Sequence, residues 1–271
     1  MKLLAGPCVI ESRDIVMKIA ENLKQYDEDK NIDFYFKASF DKANRSSINS
    51  FRGPGIEEGL KILQEVKDTF SLNIITDIHE SNQAKPASEV CDILQIPAFL
   101  CRQTDLLVEA AKTNCIINIK KAQFLQAENM LHPLNKVIHT RGLTDLVPEK
   151  DIYKELSEKY NVWLCERGTL NGQNLVVDYK NIIKMNEYSP VIFDATHSAQ
   201  VPSTGTTTGG NAKIVPSLAK AAAVVGVDGY FFETHFDPSI ALSDGPNMLD
   251  LNNLKKTIND IKQIQELKWE I

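Results

Sequence analysis

Residues 34–47 read Phe34-Tyr35-Phe36-Lys37-Ala38-Ser39-Phe40-Asp41-Lys42-Ala43-Asn44-Arg45-Ser46-Ser47. The β-rich run Phe34-Tyr35-Phe36 delivers Lys37 at its end, and a polar, helix-poor segment then supplies Lys42, Asn44, Arg45, Ser46 and Ser47. Two ammonium groups, a guanidinium fork and two hydroxyls so close together suit phosphate and carboxylate recognition. The chain carries a net charge of −6, so this basic cluster is local and not part of a general basic surface. Taken alone it reads equally as a solvated basic loop. Recurrence gives it weight, because almost every strand that can be placed ends in a residue able to do chemistry.

Apolar runs of strand length alternate with stretches of helical period. Strands are expected near 2–5, 34–37, 73–76, 93–95, 115–119, 162–165, 191–193 and 229–232, and helices over 14–26, 56–69, 104–113, 153–160, 215–225 and 251–265. Eight β/α units with short, mostly uncharged strands fit a parallel sheet buried on both faces. Closed into a ring, that sheet is a (β/α)8 TIM barrel. A doubly wound open sheet is the alternative, but it normally has fewer strands, and the GxGxxG of its usual phosphate loop is missing here. No Gly-, Ser- or Pro-rich linker divides the chain, so residues 1–271 are expected to form one barrel domain. The connection from Lys121 to Asn161 is long for a barrel, about forty residues. It predicts an extended loop at about 125–160, containing LHPLNKVIHTRG (131–142), either over the active face or at an interface.

Composition narrows the functional class. Of the 271 residues 43% are hydrophobic and 24% charged, ordinary for a globular protein with a substantial core. No apolar run reaches the roughly 18 residues of a membrane span, and the N-terminal apolar stretch is far too short for a signal peptide. The five cysteines form no CxxC pair, so a reducing, cytoplasmic setting is expected. The acidic balance argues against nucleic-acid and anionic-membrane partners.

Catalytic groups of such barrels come from the C-terminal ends of the strands and the loops that follow. Those positions hold Cys8, Lys37, Asp77, Gln95, Lys120, Glu166-Arg167, Asp194 with His197, and Glu233. Lys37, Lys42, Lys120 and Arg167 would converge on the mouth and repel one another unless they share an anionic ligand. Cys8, His197, Glu233 and Asp244 form a second constellation of the donor types that hold Zn²⁺, Fe²⁺, Co²⁺ or Mn²⁺. No spacing motif supports this set, and Cys8 also reads as a buried small hydrophobe. His79 reads as a loop cap, His132 and His139 as solvent-facing, and His235 as either a neighbour of Glu233 or a surface residue. Cys91, Cys101, Cys115 and Cys165 read as packing. The glycine-rich segment GTTTGG (205–210) reads equally as a phosphate loop and as a simple connector.

Across nearly its whole length the sequence resembles the 3-deoxy-D-manno-octulosonate 8-phosphate (Kdo-8-phosphate) synthases, cousins of the DAHP synthases. The resemblance rests on AGPC (5–8), KASFDKANRSS (37–47), FRGPG (51–55), TDIHE (76–80), QIPAFLCRQTDLL (95–107), NIKKAQF (118–124), CERG (165–168), NLVVD (174–178), PVIFDATHSAQ (190–200) and SDGPNM (243–248). The family joins phosphoenolpyruvate to arabinose 5-phosphate and releases inorganic phosphate, on the route to lipopolysaccharide. The resemblance implies that Lys42, Lys120, Arg167 and the Pro97-Ala98 backbone hold phosphoenolpyruvate, with Lys37 between the substrates. Asn44, Arg45 and Ser46 would take the sugar and its phosphate, Asp77 the sugar hydroxyls, and Gln95 and Gln103 would line the pocket. Arg102 would reach an active site across a subunit contact, as the family is similar to a tetramer of barrels. Metal-independent members have Asn where this chain has Cys8, so the resemblance implies a divalent-metal enzyme with Cys8, His197, Glu233 and Asp244 as ligands. Lys37, Asp77, His197 and Cys8 are the implied catalytic residues.

The sequence also departs from the family. The aromatic Gly-x-x-Phe-Gly-Tyr-x-Asn pattern is replaced by Gly168-Thr169-Leu170-Asn171-Gly172-Gln173-Asn174, Gly-Gly-x-Arg by Gly209-Gly210-Asn211-Ala212, and His-Pro-Asp-Pro by His235-Phe236-Asp237-Pro238. These changes bear on sugar specificity and loop closure more than on reaction class. Two rivals are the same chemistry on erythrose 4-phosphate, against which Asn44-Arg45-Ser46 speaks, and a non-catalytic anion-binding barrel.

Overall fold

Eight short strands carry the frame: β1 (Lys2–Gly6), β2 (Asp33–Lys37), β3 (Asn73–Asp77), β4 (Ile93–Ile96), β5 (Ile116–Lys120), β6 (Val162–Glu166), β7 (Val191–Asp194) and β8 (Gly229–His235). The computed structural model describes residues 1–45, 47–143, 152–172, 174–201 and 209–267. Each strand pairs in parallel with the next, and β8 returns to β1 with Lys2 opposite Gly229 and Gly6 opposite Glu233. The sheet is therefore closed, and its helices surround it as a (β/α)8 barrel. All eight expected strands are present.

Successive side chains on a strand point to opposite faces, and the burial pattern follows that period. Leu4, Ile75, Ile93, Trp163, Cys165, Ile192 and Phe231 pack together inside the barrel. Their neighbours Leu3, Ala5, Ile74, Leu94, Leu164, Phe193, Tyr230 and Phe232 belong to the larger core between sheet and helices. A strand that must be apolar on both faces reads as a continuous hydrophobic run, which is why the sequence shows no polar alternation.

The helices are α1 (Arg13–Leu23), α2 (Ile56–Phe70), α3 (Ala84–Ser88), α4 (Thr104–Ala111), α5 (Leu131–Thr140), α6 (Tyr153–Lys159), α7 (Tyr179–Asn186), α8 (Val215–Val225) and α9 (Leu251–Glu266). Helix α1 shows how the sequence sets them. Ser12 caps it by accepting from the Ile15 amide at 3.3 Å, and Val16, Ile19, Ala20 and Leu23 form its buried stripe. Asp250 caps α9 in the same way, accepting from the amides of Asn252 and Asn253. No helix among the described residues is long and apolar enough to cross a membrane.

The connection between β5 and β6 differs from its expectation as an extended loop. Residues 131–140 form α5, with Pro133, Leu134, Val137 and Ile138 buried. Pro133 lies in the first turn, where no intrahelical N–H bond is lost, so the helix accommodates it. His132 and His139 face solvent. Residues 144–151 of the connection, Pro148 included, lie outside the described residues. Helices α3 and α7 were not foreseen, nor was the hairpin formed by Thr169–Asn171 and Asn174–Val176 after β6.

Arg141, just past α5, ties the lower rim together. Its guanidinium donates to the carbonyls of Ala111 (2.9 Å), Thr113 (3.0 Å), Cys115 (2.6 Å) and Asn161 (3.2 Å), and also to that of Tyr160. These carbonyls lie at the entries to β5 and β6, which would otherwise end in unpaired polar groups. Replacing Arg141 with Leu should lower the unfolding free energy by about 2–4 kcal/mol. Urea denaturation should show this as a lower midpoint at an unchanged slope, and Arg141→Lys, a point charge without the fork, should recover little of the loss.

Candidate active site

Continuing the two-residue period upward from the inner core leads directly to the mouth. Leu4 leads through Gly6 to Cys8, Tyr35 to Lys37, Ile75 to Asp77 and Ile93 to Gln95. Ile116 leads through Asn118 to Lys120, Trp163 through Cys165 to Arg167, Ile192 to Asp194, and Phe231 to Glu233. A cavity of about 420 Å³ opens above them, lined among others by Lys37, Lys42, Asn44, Arg45, Asp77, Gln95, Ala98, Lys120, Arg167, His197 and Asp244. Most residues expected from the sequence thus meet in one place. Ser46 lies outside the described residues. Gln103 does not line this cavity. The turn Ala98–Leu100 carries the chain outward, and Gln103 becomes the exposed residue preceding α4. Arg102 is exposed on the same rim.

The charges are organised around Lys37, a fully buried ammonium. It donates to Ser39 Oγ at 2.7 Å and the Cys8 carbonyl at 3.2 Å, and lies 3.4 Å from Asp77 and 3.9 Å from Glu233. Burial pulls its pKa down, and neighbouring Lys42 adds to the effect. Asp77 accepts from Ser39 Oγ and lies 3.0 Å from His79 Nε2. Burial works against its charge, but Lys37, Lys42 and His79 hold its carboxyl well below the usual range. His79 is therefore more than the loop cap expected of it, because it braces Asp77 and lines the cavity. For Lys42, burial is likewise unfavourable, yet Cys8, Asp77, Glu233 and Asp244 outweigh it and keep the ammonium above its ordinary range.

On the opposite side Lys120 donates to Asp194 at 2.5 Å and stands 4.1 Å from the centre of the Phe231 ring, one of the inner core residues. Asp194 also receives the His197 backbone N–H at 2.8 Å and faces His197 Nδ1 at 2.8 Å. Arg167 has a neutral partner, donating to Gln200 Oε1 at 2.5 Å, while Gln200 donates to Asp244 at 3.4 Å. Burial lowers the Arg167 pKa. Ser39 and Gln200 were missed in the sequence because a neutral residue two or six positions beyond a strand carries no distinctive pattern. Asn118, donating to Gln95 at 3.2 Å, was missed because it sits one layer below the strand ends.

Cys8, Glu233 and Asp244 each bring one ligand atom within 4.8 Å of the others. Both Glu233 carboxylate oxygens are buried without a hydrogen-bond partner among the described residues. Its nearest cations stand off at 3.7 Å (His197 Nε2), 3.8 Å (Lys42) and 3.9 Å (Lys37). The Cys8 thiol donates to Asp244 at 3.1 Å and contacts Ser243 Oγ at 2.9 Å. Asp244 is held in the left-handed region, at φ 51°, to reach this position. An orphaned buried carboxylate beside a thiol and a second carboxylate fits a divalent cation in donor chemistry. His197 is not one of these three: its Nε2 stands 3.7 Å from Glu233, and its Nδ1 is held by Asp194. His235, also buried, accepts from the Asp237 amide through Nδ1. Cys91, Cys101, Cys115 and Cys165 are buried and unpaired, as packing residues.

Fold and site together define a (β/α)8 barrel with a cationic anion pocket beside a thiol–carboxylate cluster. The profile of the DAHP synthetase I family matches residues 1–270. Relatives named 2-dehydro-3-deoxyphosphooctonate aldolase include that of Campylobacter jejuni (strain RM1221), 58% identical over 98% of this chain and 97% of the relative. Those of Helicobacter hepaticus and Wolinella succinogenes are 54% and 51% identical over 98% of this chain, covering 97% and 100% of their own lengths. The chain belongs to this family, the 2-dehydro-3-deoxyphosphooctonate aldolases (Kdo-8-phosphate synthases) within the DAHP synthetase I group.

Gly6 sets how closely Lys37 can sit. A Cβ on Gly6 would fall 2.1 Å from the Lys37 carbonyl oxygen. Gly6→Ala must therefore push β2 away, and we expect it to lower stability by about 1–3 kcal/mol. Its effect on anion binding should be larger than that, because Lys37 moves with its strand. Thermal unfolding and phosphate-binding titrations of the same preparation would measure both.

Proposed function

We propose that this barrel condenses phosphoenolpyruvate with D-arabinose 5-phosphate and water to give 3-deoxy-D-manno-octulosonate 8-phosphate and inorganic phosphate. The observation that carries the reading is that five cations, Lys37, Lys42, Arg45, Lys120 and Arg167, line one cavity. The 58% identity to a 2-dehydro-3-deoxyphosphooctonate aldolase selects the acceptor sugar over erythrose 4-phosphate. It also favours an enzyme over a non-catalytic anion binder, as do the intact strand ends.

Lys120 and Arg167, with the Ala98 backbone, hold the phosphate of phosphoenolpyruvate, and Lys42 its carboxylate. Asn44, Arg45 and Ser46 take the sugar phosphate, and Asp77 orients the sugar hydroxyls. One Arg45 guanidinium nitrogen is buried without a partner among the described residues, as an anion receptor would be. Two polyanions repel, and neutralising both is what permits C3 of the enol to meet the aldehyde carbon. As that bond forms, the aldehyde oxygen becomes an alkoxide and C2 becomes cationic. Lys37 lies between the substrates with its pKa pulled down by burial, so its ammonium can give the alkoxide a proton. Water adds to C2, and the hemiketal phosphate expels phosphate, with Lys120 and Arg167 carrying the departing charge.

Cys8, His197, Glu233 and Asp244 would hold a divalent metal, of the Zn, Fe, Mn or Co type. Such a metal supplies Lewis-acid polarisation of an oxygen ligand when bound. The reading extends to a cytoplasmic homotetramer in which Arg102 completes the cavity of a neighbouring barrel. It is supported by the exposure of Arg102 and of Phe99, 54% accessible, on the turn that borders the mouth.

Protein loaded with Mn²⁺ or Co²⁺ should release phosphate from phosphoenolpyruvate with arabinose 5-phosphate and not with erythrose 4-phosphate, and a chelator should abolish the release. No release with arabinose 5-phosphate would overturn the assignment. Cys8→Asn should fall from stoichiometric to substoichiometric metal in elemental analysis after dialysis. Full metal content in that variant would remove Cys8 from the ligand set.

A further inference from the structure

Lys120 and Arg167 face the cavity, so the residues beside them in the chain, Lys121 and Glu166, point to the other side of the sheet. There they form a fully buried pair, Nζ to Oε1 3.5 Å, in the layer between sheet and helices. A buried ion pair is seldom a net source of stability, which raises the question of what this one does.

Its contacts supply an answer. The Lys121 ammonium reaches back to its own loop, at the carbonyls of Ala122 (3.4 Å) and Leu125 (3.2 Å). It also reaches the loop after β6, at the Gly168 carbonyl (3.5 Å) and Thr169 Oγ1 (3.0 Å). Glu166 Oε1 accepts from the backbone amides of Arg167 (3.1 Å) and Gly168 (2.7 Å). A single pair thus grips the peptide that carries Arg167 and the turn that follows Lys120. The Leu170 amide donates to the Gln123 carbonyl at 2.8 Å, a second tie between the same two loops.

We propose that Lys121 and Glu166 are positioning residues that fix the distance and direction between Lys120 and Arg167, and so shape the phosphate cradle for phosphoenolpyruvate. The inference rests on the assigned reaction for the identity of the phosphate donor, but its test reads binding as well as turnover. Neither residue touches the cavity, so their loss should act on one substrate through the geometry of two others.

Lys121→Met, Lys121→Arg and Glu166→Gln would be compared with the unaltered protein. The readouts are dissociation constants for phosphoenolpyruvate and for inorganic phosphate without sugar, KM for each substrate, and Tm. Lys121→Met should weaken phosphoenolpyruvate binding by about 10- to 100-fold. KM for arabinose 5-phosphate should stay within about twofold, the precision expected of independent sites. Lys121→Arg should restore part of the affinity. Glu166→Gln keeps an acceptor for both amides and removes only the charge, so it supplies the same reading should Lys121→Met fail to fold. A lower Tm with unchanged affinity for both anions would overturn the proposal, leaving a purely structural pair. An equal loss for both substrates would overturn it too, as general loosening. If the unaltered protein bound phosphoenolpyruvate but turned over neither sugar, the assigned reaction would fall while the positioning claim could still be read from binding.

Discussion

Side chains two residues apart on a strand share a face, and in a closed barrel that face has no exit except upward. This constraint links the molecule's stability to its chemistry. Leu4, Ile75, Ile93, Trp163, Ile192 and Phe231 fill the interior, and the same face of their strands, one or two steps further on, has nowhere to point but the mouth. Packing the lower layer therefore aims the upper one. Phe231 makes the coupling visible, since its ring closes the inner core below and stands 4.1 Å from the Lys120 ammonium and 5.5 Å from that of Lys37 above.

Crowding ammonium and guanidinium groups in a buried mouth is unfavourable unless their charges are answered. Carboxylates answer it unevenly. Lys37 and Lys120 have close acidic partners in Asp77 and Asp194. Lys42 meets Glu233 only at 3.8 Å, Arg167 pairs with the amide of Gln200, and Arg45 donates to the Phe51 carbonyl. Carboxylates orient the first two, of which Lys120 keeps further ammonium donors for an anion, and the last three have no carboxylate at hydrogen-bond distance. A binding site for two phosphorylated substrates needs cations with donors to spare, because a fully paired cluster would have to break ion pairs to bind.

The parts legible in the sequence were those with a period or a formal charge. Continuous apolar runs placed every barrel strand, and reading from the end of each run to two residues beyond it found Lys37, Asp77, Lys120, Arg167 and Glu233. Cys8 and Asp244 were joined to His197 and Glu233 by donor type alone, with no spacing rule behind them, and the resemblance gave the set its weight through Cys8. Helix α5 was hidden by Pro133 in its first turn, and the hairpin after β6 by strands only three residues long. Ser39, His79 and Gln200 act as braces, each defined by what it touches across the barrel and not by its neighbours in the chain. Contacts of that kind come from closure of the sheet, and closure is invisible until the strands are paired.

The mouth also has a direction. Cys8, Glu233 and Asp244 lie on the β8–β1 side, Lys120, Arg167 and Gln200 on the β5–β6 side, and Asp77 with His79 beyond β3. Lys37 on β2 touches the Cys8 carbonyl on one flank and Asp77 on the other. A group so placed is in contact with both flanks of the mouth, the cluster side and the Asp77 side. Displacing it would disturb both flanks at once, which is why the glycine opposite it, Gly6, is as much a part of the site as the charged residues are. The absence of a side chain there lets β1 and β2 close on each other at the level of Lys37, because a Cβ would fall 2.1 Å from its carbonyl oxygen.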